Sequence, residues 1–402
     1  MKFLHAADIH LDSPLTGLHA RDDLPEAVRH STRRAFAAMI DLAIEEDVAF
    51  VLIAGDLYDG DWKDFSTGLF FVDQMRRLAR PCYLLRGNHD AQSVITRNLP
   101  LPGNVHEFSS RTCQSFDLPD HGITLHGRSF PDRAVDEDLS AAYPAPHPGR
   151  LNIGLLHTSA EDPGEHAAYA PCRIADLRLK GYDYWALGHI HARQVLSERP
   201  WIIFPGNLQG RHAKETGAKG CTLVTVEDRQ ITAVEHRSLD VLRWAALTVD
   251  ATGADHPDLR SRIEAAVRLG EAEAEGRPLL ARLTVTGTTA LHADLLDQTE
   301  NLAADCRALA TAPLWVEAVK LRTRPPTAPA PELLQPLQAA FTAGLEDPTL
   351  IASLLAELAD LRRRLPPPAR DTLDLPQDEA ALRLLAADAW ATIAAALGQD
   401  PA

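Results

Sequence analysis

The first part of the chain repeats one pattern, in which short, continuously apolar runs are interrupted by polar turns. The runs cover residues 3–4, 50–54, 82–85, 153–156, 184–187 and 201–204. Apolar runs of this length without alternation are typical of strands that are covered on both faces. We therefore predict buried β-strands at these positions.

Stretches with helical spacing lie between several of the predicted strands. Residues 25–46 carry apolar side chains every three or four positions, and residues 67–78 do the same. This spacing gathers the apolar side chains on one face of a helix. The alternation of strands and helices predicts a layered α/β domain, which we place at residues 1–241.

The pattern changes near residue 242 and gives a shorter series of elements. Strands are predicted at residues 244–249, 280–285 and 314–321, and helices at residues 256–269 and 293–309. The order strand, helix, strand, helix, strand predicts a small βαβαβ accessory domain at residues 242–324.

The last part of the chain is predicted to be helical. A proline-rich stretch at residues 325–331 is expected to act as a semi-rigid linker. Within the helical region at 332–402, helices are predicted at residues 332–343, 349–365 and 378–397. A leucine stripe in the second of these helices fits either a small capping bundle or a surface on which a partner's helix docks. The sequence leaves both interpretations open.

Composition limits the classes of protein that this chain can represent. The apolar content of 45% and the charged content of 24% over 402 residues are typical of a soluble globular protein with more than one domain. A formal charge of −16 argues against a surface that wraps nucleic acid or anionic membrane throughout, although a local basic groove is compatible with it. The five cysteines are widely spaced and indicate neither a disulfide framework nor a zinc ribbon. With no signal-sequence pattern and no membrane-spanning run, we expect a cytoplasmic protein that does not associate with a membrane.

Polar motifs follow the predicted strands at the points where the strands end. They are Asp8-Ile9-His10, Gly55-Asp56, Gly87-Asn88-His89-Asp90, His157 and Gly188-His189-Ile190-His191. In an open α/β sheet, the carboxyl ends of the strands present their side chains to one crevice. We therefore expect one site, with the metal ligands Asp8, His10, Asp56, Asn88, His157, His189 and His191.

The types of ligand indicate the metal and the reaction. Mixed imidazole, carboxylate and amide groups suit manganese, iron or zinc, whereas an all-oxygen set would suit magnesium or calcium. Asp56 is the best candidate to bridge two ions. Two ions about 3.5–4 Å apart activate a bridging water and stabilise both oxygens in a phosphoester substitution. We interpret the site as a phosphoester hydrolase in which a metal-bridging hydroxide attacks phosphorus, His89 assists and Asp90 holds the His89 ring.

These motifs together resemble the calcineurin-like metallophosphoesterases, and within them the DNA repair exonuclease branch of the SbcD and YhaO type. That branch is the bacterial counterpart of the meiotic-recombination nuclease. Residues 1–12, 126–130 and 205–211 are particularly similar to it. The resemblance covers the predicted first domain and implies a layered metallophosphoesterase β-sandwich flanked by helices.

The resemblance also implies how the ligands are shared between two ions. One ion is held by Asp8, His10, Asp56 and His191, and the other by Asp56, Asn88, His157 and His189. It implies a catalytic His89 that is not a ligand, and manganese as the expected metal, with iron, zinc or magnesium as alternatives. Archaeal and eukaryotic relatives usually carry a histidine three residues after the bridging aspartate, where this chain has Asp59. Asp59 and Asn207 are assigned supporting roles outside the ligand set.

A basic segment beside the last ligands bears on the substrate. Because affinity for DNA comes chiefly from phosphate contacts by Lys and Arg, the candidate substrate contacts are Arg193, Arg211, Lys214 and Lys219. An ordinary solvated loop is the alternative interpretation of this segment.

The leading functional hypothesis is a DNA exonuclease or endonuclease subunit in DNA repair that works with an SbcC/YhaN-like coiled-coil ATPase. One alternative is a phosphomonoesterase or cyclic-nucleotide phosphodiesterase that acts on small substrates. Another is a non-catalytic scaffold that keeps its metal site for stability. Family members are often homodimers, but the sequence identifies no dimer surface.

Overall fold

The structure is a computed structural model that describes residues 1–15, 28, 30–59, 65–92, 100–160, 169–326, 334–365, 373 and 375–398. The chain divides into two compact units. The first comprises Met1–Ala246, Leu269–Arg282 and Thr311–Glu317, and the second comprises Leu247–Arg268, Leu283–Ala310 and Ala318–Ala402. The predicted linker at 325–331 lies mostly outside the described residues. The domain boundaries given above stay predictions.

Two large sheets of mixed direction form the first unit. Their strands are β1 (Lys2–Ala6), β2 (Phe50–Ala54), β3 (Cys82–Leu85), β4 (Val105–Glu107), β5 (Gln114–Leu118), β6 (Ile123–Gly127), β7 (Leu151–His157), β8 (Tyr184–Gly188), β9 (Gln194–Glu198), β10 (Trp201–Phe204), β11 (Gly220–Glu227) and β12 (Gln230–Ser238). The first sheet has the order β12-β11-β1-β2-β3-β4, and the second has the order β5-β6-β7-β8-β10-β9. The layered α/β architecture with two flanked sheets is confirmed.

Parallel pairing brings the ends of the central strands together. In the first sheet, β1 pairs in parallel with β2, and β2 pairs in parallel with β3. In the second sheet, β7 lies parallel to both β6 and β8. Because the carboxyl ends of parallel neighbours lie at the same edge, the segments that follow these strands meet there.

One face of the first sheet is covered by α1 (Ser31–Glu45) and α2 (Phe65–Leu78). Side chains alternate along β1, so that Leu4 and Ala6 join Phe36 and Met39 of α1 in one buried cluster. Phe71 and Met75 of α2 belong to the same cluster. These apolar stripes account for the spacing that predicted the two helices.

The opposite face of the first sheet packs on the second sheet. Phe3 and Phe50 stack with their ring centroids 5.1 Å apart, and Phe3 meets Tyr184 of β8 edge to face. Leu52 lies in the same buried cluster as Ile153 of β7. Both faces of the central strands are therefore buried, which explains why their sequences read as unbroken apolar runs.

The outer face of the second sheet is also covered. Trp185 of β8 is fully buried against Tyr143 and Tyr182, and its indole nitrogen donates to the Leu177 carbonyl in the short helix α3 (Ile174–Leu179). A layer of helix and loop residues thus covers the second sheet on the side away from the first. The described part of the first unit is therefore layered as helices, first sheet, second sheet, and helix with loops.

Beyond the two large sheets the chain forms a third sheet and further helices. β13 (Arg243–Asp250), β14 (Leu279–Thr288) and β15 (Leu314–Arg324) lie in that order in the third sheet. The helices are α4 (His256–Ala274), α5 (His292–Asp297), α6 (Thr299–Leu309), α7 (Gln335–Glu346), α8 (Pro348–Arg364) and α9 (Glu379–Gly398). The predicted helical C-terminal region is confirmed. In the described part of the chain, no helix combines the length and apolarity needed to cross a bilayer.

Several strands of the two large sheets were not among the predicted elements. β5, β9 and β12 consist mostly of exposed and half-buried positions and contain few continuous apolar residues. A search for continuous apolar runs misses such strands, because only one of their faces is packed. The first predicted helix corresponds to α1 from Ser31 onward, and its predicted start at residues 25–27 lies outside the described part.

Gly154 tests the packing between β7 and β8. A Cβ atom at this position would lie 2.5 Å from two ring carbons of the buried Trp185. We expect Gly154→Ala to destabilise the fold by about 1–3 kcal/mol through overpacking, measured as a lower denaturation midpoint in urea. Gly103→Ala is the matched control, because Gly103 is exposed and a Cβ there would meet no atom within 4 Å. Equal stability of the two variants would contradict the described packing.

Candidate metal centre

The predicted ligands meet at the carboxyl ends of the central strands of both sheets. Those from the first sheet follow β1, β2 and β3, and those from the second end or follow β7 and β8; they are Asp8, His10, Asp56, Asn88, His157, His189 and His191. Two groups built from predicted ligands can each hold an ion with one ligand atom per residue: Asp8, His10 and His191, and Asp8, Asp56 and His157. A third group of the same kind joins His10 to Asp59 and His89, which lie outside the predicted ligand set. Within each group these atoms lie within 4.8 Å of one another. The structure thus brings the scattered motifs into one place.

The backbone at the site adopts an uncommon conformation. The φ angles of Asp8, His10 and Asp56 are +51°, +45° and +52°. For residues other than glycine, such angles cost on the order of 1–3 kcal/mol each and persist only where the surroundings enforce them. Here the amides of Asp8 and His10 donate to the carbonyls of Gly55 and Asp56, each over 3.0 Å. The turns after β1 and β2 therefore hold each other in the strained form.

Two positions next to the ligands require glycine, because ligand side chains approach the backbone closely there. Gly55 has a φ of +96°, and a Cβ there would lie 2.3 Å from Nδ1 of His157. A Cβ at Gly87 would lie 2.2 Å from Oδ1 of Asp56. Side chains at these two positions would displace the candidate ligands themselves.

His10 and His191 form the core of the first ligand group. Their Nε2 atoms are 3.3 Å apart, and Nε2 of His191 is 3.9 Å from Oδ1 of Asp8. Two imidazole nitrogens at this distance need a proton or a cation between them, because their lone pairs otherwise repel. With metal–nitrogen bonds of about 2.0–2.1 Å, both nitrogens can reach one ion. This donor set therefore fits a divalent cation.

His157 anchors the second ligand group. Its Nδ1 donates to the Ala54 carbonyl over 2.9 Å, and its Nε2 faces Oδ1 of Asn88 at 3.0 Å and Oδ2 of Asp56 at 3.5 Å. Burial lowers the pKa of His157, but the charge of Asp56 outweighs burial and raises the pKa to about 9. A positive charge, either a proton or a cation, is thus favoured between Nε2 and the two oxygens.

Asp56 belongs to the second group and also faces His10 of the first. Its Oδ2 is 3.9 Å from Nε2 of His10 and 3.5 Å from Nε2 of His157, while its Oδ1 accepts from the His89 amide over 2.9 Å. Burial favours the neutral acid, but the neighbouring histidines, His157 first, hold the pKa of Asp56 well below its ordinary value. This placement next to ligands of both groups supports the predicted bridging role.

His189 reaches the site through both its backbone and its ring. Its amide donates to both carboxylate oxygens of Asp8, over 2.9 and 3.1 Å. Its ring centroid is 5.2 Å from that of His157, in an edge-to-face arrangement. His189 therefore orients Asp8 and stands beside the second ligand group.

His89 lies next to the ligands with its ring held by Asp59. Nδ1 of His89 is 2.9 Å from Oδ1 of Asp59, and the other oxygen of Asp59 accepts from Ser13 over 2.7 Å. Burial lowers the pKa of His89, but the Asp59 hydrogen bond and the charge of Asp56 outweigh it and raise the pKa above its ordinary value. The His89 side chain is 33% exposed, so a substrate can approach it.

Asp90 does not hold the His89 ring, and the predicted contact between them is wrong. The Asp90 carboxylate accepts from the amides of Leu57, Tyr58 and Gly87 over 2.8–3.2 Å. Burial, followed by the Asp56 charge, raises the pKa of Asp90 to about 7. Asp90 thus fixes the turns after β2 and β3, because those amide donors are the groups that point toward it.

The four predicted substrate contacts have different surroundings. Arg211 lies at the site, with one guanidinium nitrogen 3.7 Å from Oδ2 of Asp59 and the other 3.5 Å from Oε1 of Glu215. Lys219 is buried and donates to the His191 carbonyl over 3.0 Å. Arg193 is half-buried, and Lys214 is exposed. Of these four side chains, Arg211 is the one whose described contacts include Asp59, the residue that holds the His89 ring.

Glu215 is a residue that the motif analysis missed. Its Oε1 is 2.5 Å from Nδ1 of His191, and its Oε2 accepts from the Asn207 side chain over 2.9 Å. One signal marks it in the sequence, since Glu215 is the sole acidic residue between positions 206 and 220, where basic residues abound. Its partner could not be inferred, because His191 is 24 positions away in the chain.

Two family models match this chain. The model described as calcineurin-like phosphoesterase matches residues 1–193, which include all the candidate ligands. The model described as the middle domain of metallophosphoesterase YhaO matches residues 244–324.

Individual relatives cover much of the chain. The metallophosphoesterase YhaO of Bacillus subtilis is 38% identical over 298 residues, or 72% of each chain. The DNA double-strand break repair protein Mre11 of Sulfurisphaera tokodaii is 24% identical over 267 residues, which span 62% of this chain and 65% of the relative. Among solved structures, a dimetal phosphatase from Danio rerio covers 60% of this chain and 96% of its own at 12% identity, with a TM-score of 0.37. That structural likeness is too weak to support a conclusion.

The matched residues and the YhaO identity show that this chain belongs to the calcineurin-like metallophosphoesterases, a family of phosphoester hydrolases.

Proposed function

We propose that this protein is a two-metal phosphodiester hydrolase that cleaves DNA, in a repair role. The observation that carries the proposal is the pair of ligand groups that share Asp8, with Oδ2 of Asp56 facing His157 in its own group and His10 in the other. His89 lies beside them and is accessible. A phosphodiester needs charge neutralisation on its oxygens, activation of water and a proton for the leaving oxygen. The arrangement offers a group for each requirement.

The chain's own residues have separate tasks in this proposal. Asp8, His10, Asp56 and His191 would hold one ion, and Asp56, Asn88, His157 and His189 would hold the other. When bound, two divalent ions supply Lewis acidity and water activation, and manganese suits the mixed ligands. His89, with its pKa raised, donates a proton to the leaving oxygen or stabilises charge on the phosphoryl group. Asp59 keeps its ring in place.

Two observations favour DNA as the substrate. The relative from Sulfurisphaera tokodaii is named for DNA double-strand break repair. In addition, the Arg211 guanidinium lies 3.7 Å from Oδ2 of Asp59, the carboxylate that holds His89, and brings positive charge close to the place proposed for a backbone phosphate.

The charge of the chain favours a partner protein that helps to bind DNA. A net charge of −16 disfavours binding of DNA over the whole surface, so a partner with its own phosphate contacts would strengthen the grip on DNA. We propose an SbcC/YhaN-like coiled-coil ATPase that docks on the C-terminal helices. Leu337 of α7 and Leu350 and Leu361 of α8 are each 43–47% exposed and offer apolar contacts for a partner's helix.

Manganese-dependent cleavage of DNA is the direct test of this function. The purified chain with manganese is expected to degrade linear DNA of defined ends, followed on denaturing gels, and Asp56→Ala is expected to reduce cleavage to background. Asp120→Ala serves as the matched control, because Asp120 is exposed and remote from the ligands in the sequence. Efficient hydrolysis of p-nitrophenyl phosphates or cyclic nucleotides without cleavage of DNA would replace the nuclease assignment with a small-substrate one. Absence of all these activities with metal bound would favour a scaffold.

His89→Ala separates catalysis from metal binding. We expect the kcat for DNA cleavage to fall by about 10²–10⁴-fold, because a positioned proton donor is lost. The manganese content, measured by inductively coupled plasma mass spectrometry, is expected to remain at two ions per chain. His121→Ala provides the control, since His121 is an exposed histidine. Loss of one ion from His89→Ala would move His89 into the ligand set and refute its assigned role.

The pH dependence tests the pairing of Asp59 with His89. Asp59 favours the protonated form of His89, so the acid form persists to higher pH when the carboxylate is present. Asp59→Asn is therefore expected to move the alkaline limb of the kcat/KM profile to lower pH, and Asp120→Asn is expected to leave it in place. An unchanged alkaline limb in Asp59→Asn would show that Asp59 does not control the protonation of His89.

A further inference from the structure

Glu215 is a buried carboxylate that belongs to none of the ligand groups among the described residues. Its side chain is 5% exposed, and it lies on the segment between β10 and β11. The groups around it are donors. Oε1 faces Nδ1 of His191 at 2.5 Å, and Oε2 accepts from the Arg211 amide over 2.6 Å and from Nδ2 of Asn207 over 2.9 Å.

We propose that Glu215 is a positioning residue that holds His191 in the tautomer and orientation needed to bind the metal. It also ties this ligand, through Arg211, to the Asp59–His89 pair. This inference rests on the proposed two-metal function and adds to it the residue that prepares one of the sites.

The tautomer follows from the chemistry of the contact. An ionised carboxylate can only accept, so a contact of 2.5 Å between Oε1 and Nδ1 requires the proton to be on Nδ1 of His191. The Arg211 guanidinium is 3.3 Å from the same nitrogen, a longer approach, and it also lies 3.5 Å from Oε1. The lone pair of His191 is therefore on Nε2, the atom that faces Nε2 of His10. Histidine ligands are commonly prepared for metals by a carboxylate in this way.

The connection continues from Glu215 to the catalytic histidine. Beyond its contact with Glu215, the Arg211 guanidinium donates to Oγ of Ser13 over 3.3 Å and lies 3.7 Å from Oδ2 of Asp59. Asp59 in turn holds Nδ1 of His89. One chain of contacts thus runs from a ligand of the first group to the proposed proton donor. Displacement of Glu215 would disturb both ends of that chain.

A carboxylate is required at this position, and an amide of the same shape cannot replace it. In Glu215→Gln, an amide nitrogen facing the Arg211 amide and Asn207 would place donors against donors. In the other orientation it would face His191, which would then have to accept at Nδ1 and carry its proton on Nε2. Either arrangement breaks the donor pattern, and the second protonates the nitrogen that faces His10.

The metal-free protein allows a test that does not depend on activity. Nitrogen chemical shifts of ¹⁵N-histidine-labelled protein, assigned by comparison with His191→Gln, report which ring nitrogen carries the proton. We expect His191 of the unsubstituted protein to be protonated on Nδ1. Protonation on Nε2 would overturn the proposal, and this result requires no Glu215 variant to fold.

Manganese binding gives the second measurement. We expect Glu215→Gln to lower the affinity of one of the two ions by about 10–100-fold in equilibrium dialysis, while the other ion binds as before. Glu227→Gln is the matched control, because Glu227 is an exposed glutamate in the same unit. Asn207→Ala removes a donor to Glu215 but keeps the His191 contact, so its affinity is expected to change much less. Unchanged affinity in Glu215→Gln would refute the proposal, as would an equal loss in Asn207→Ala, which would assign the effect to packing of the segment.

The outcomes separate this inference from the proposed function. If DNA cleavage is absent but His191 is protonated on Nδ1 and Glu215→Gln weakens one ion, the positioning role stands and the nuclease function fails. If cleavage is present and Glu215→Gln binds both ions normally, the function stands and the positioning role fails.

Discussion

Two buried carboxylates, Asp8 and Asp56, impose the constraint on which this structure depends. Both lie at the carboxyl ends of strands in the first sheet, after β1 and β2, and their exposures are 0% and 1%. Burial of a charge is costly unless opposite charge and hydrogen bonds compensate for it. For Asp56 the compensation comes from the His89 amide and the neighbouring imidazoles, whereas burial still raises the pKa of Asp8 despite the His189 amide and the nearby histidines. Such a concentration of lone pairs and negative charge attracts divalent cations.

The surrounding architecture serves this constraint. Strained turns, with positive φ at Asp8 and Asp56, direct both carboxylates inward, and Gly55 and Gly87 leave the space that the ligands occupy. The buried Asp90 accepts from amides of the loops after β2 and β3, two of the three loops that carry candidate ligands from the first sheet. Stability and metal chemistry are therefore linked, because the groups that enforce the strain are the groups that shape the site.

The sequence predicted the buried strands and the candidate ligands, but not the less buried strands or the residue that holds His89. Strands buried on both faces, such as β2, are recognisable as continuous apolar runs, and polar motifs at their ends reveal the ligands. β12 escaped prediction because it contains few consecutive apolar residues, so a search for continuous apolar runs does not find it. The partner of His89 was assigned to the adjacent Asp90, whereas Asp59 holds the ring from the neighbouring loop. Adjacency along the chain does not specify which way a side chain turns.

The sequence by itself determined the layered α/β class, the phosphoester hydrolase family and the set of candidate ligands, because each depends on local patterns of apolar runs and motifs. Only the tertiary structure decided which polar groups support those ligands. Glu215 meets His191, and Arg211 meets Asp59, across loops that are distant in sequence. These pairings arise from the parallel arrangement of strands and the return of β11 beside β1, which no local pattern encodes. A hydrogen bond requires direction as well as proximity, and direction is set by the packed fold.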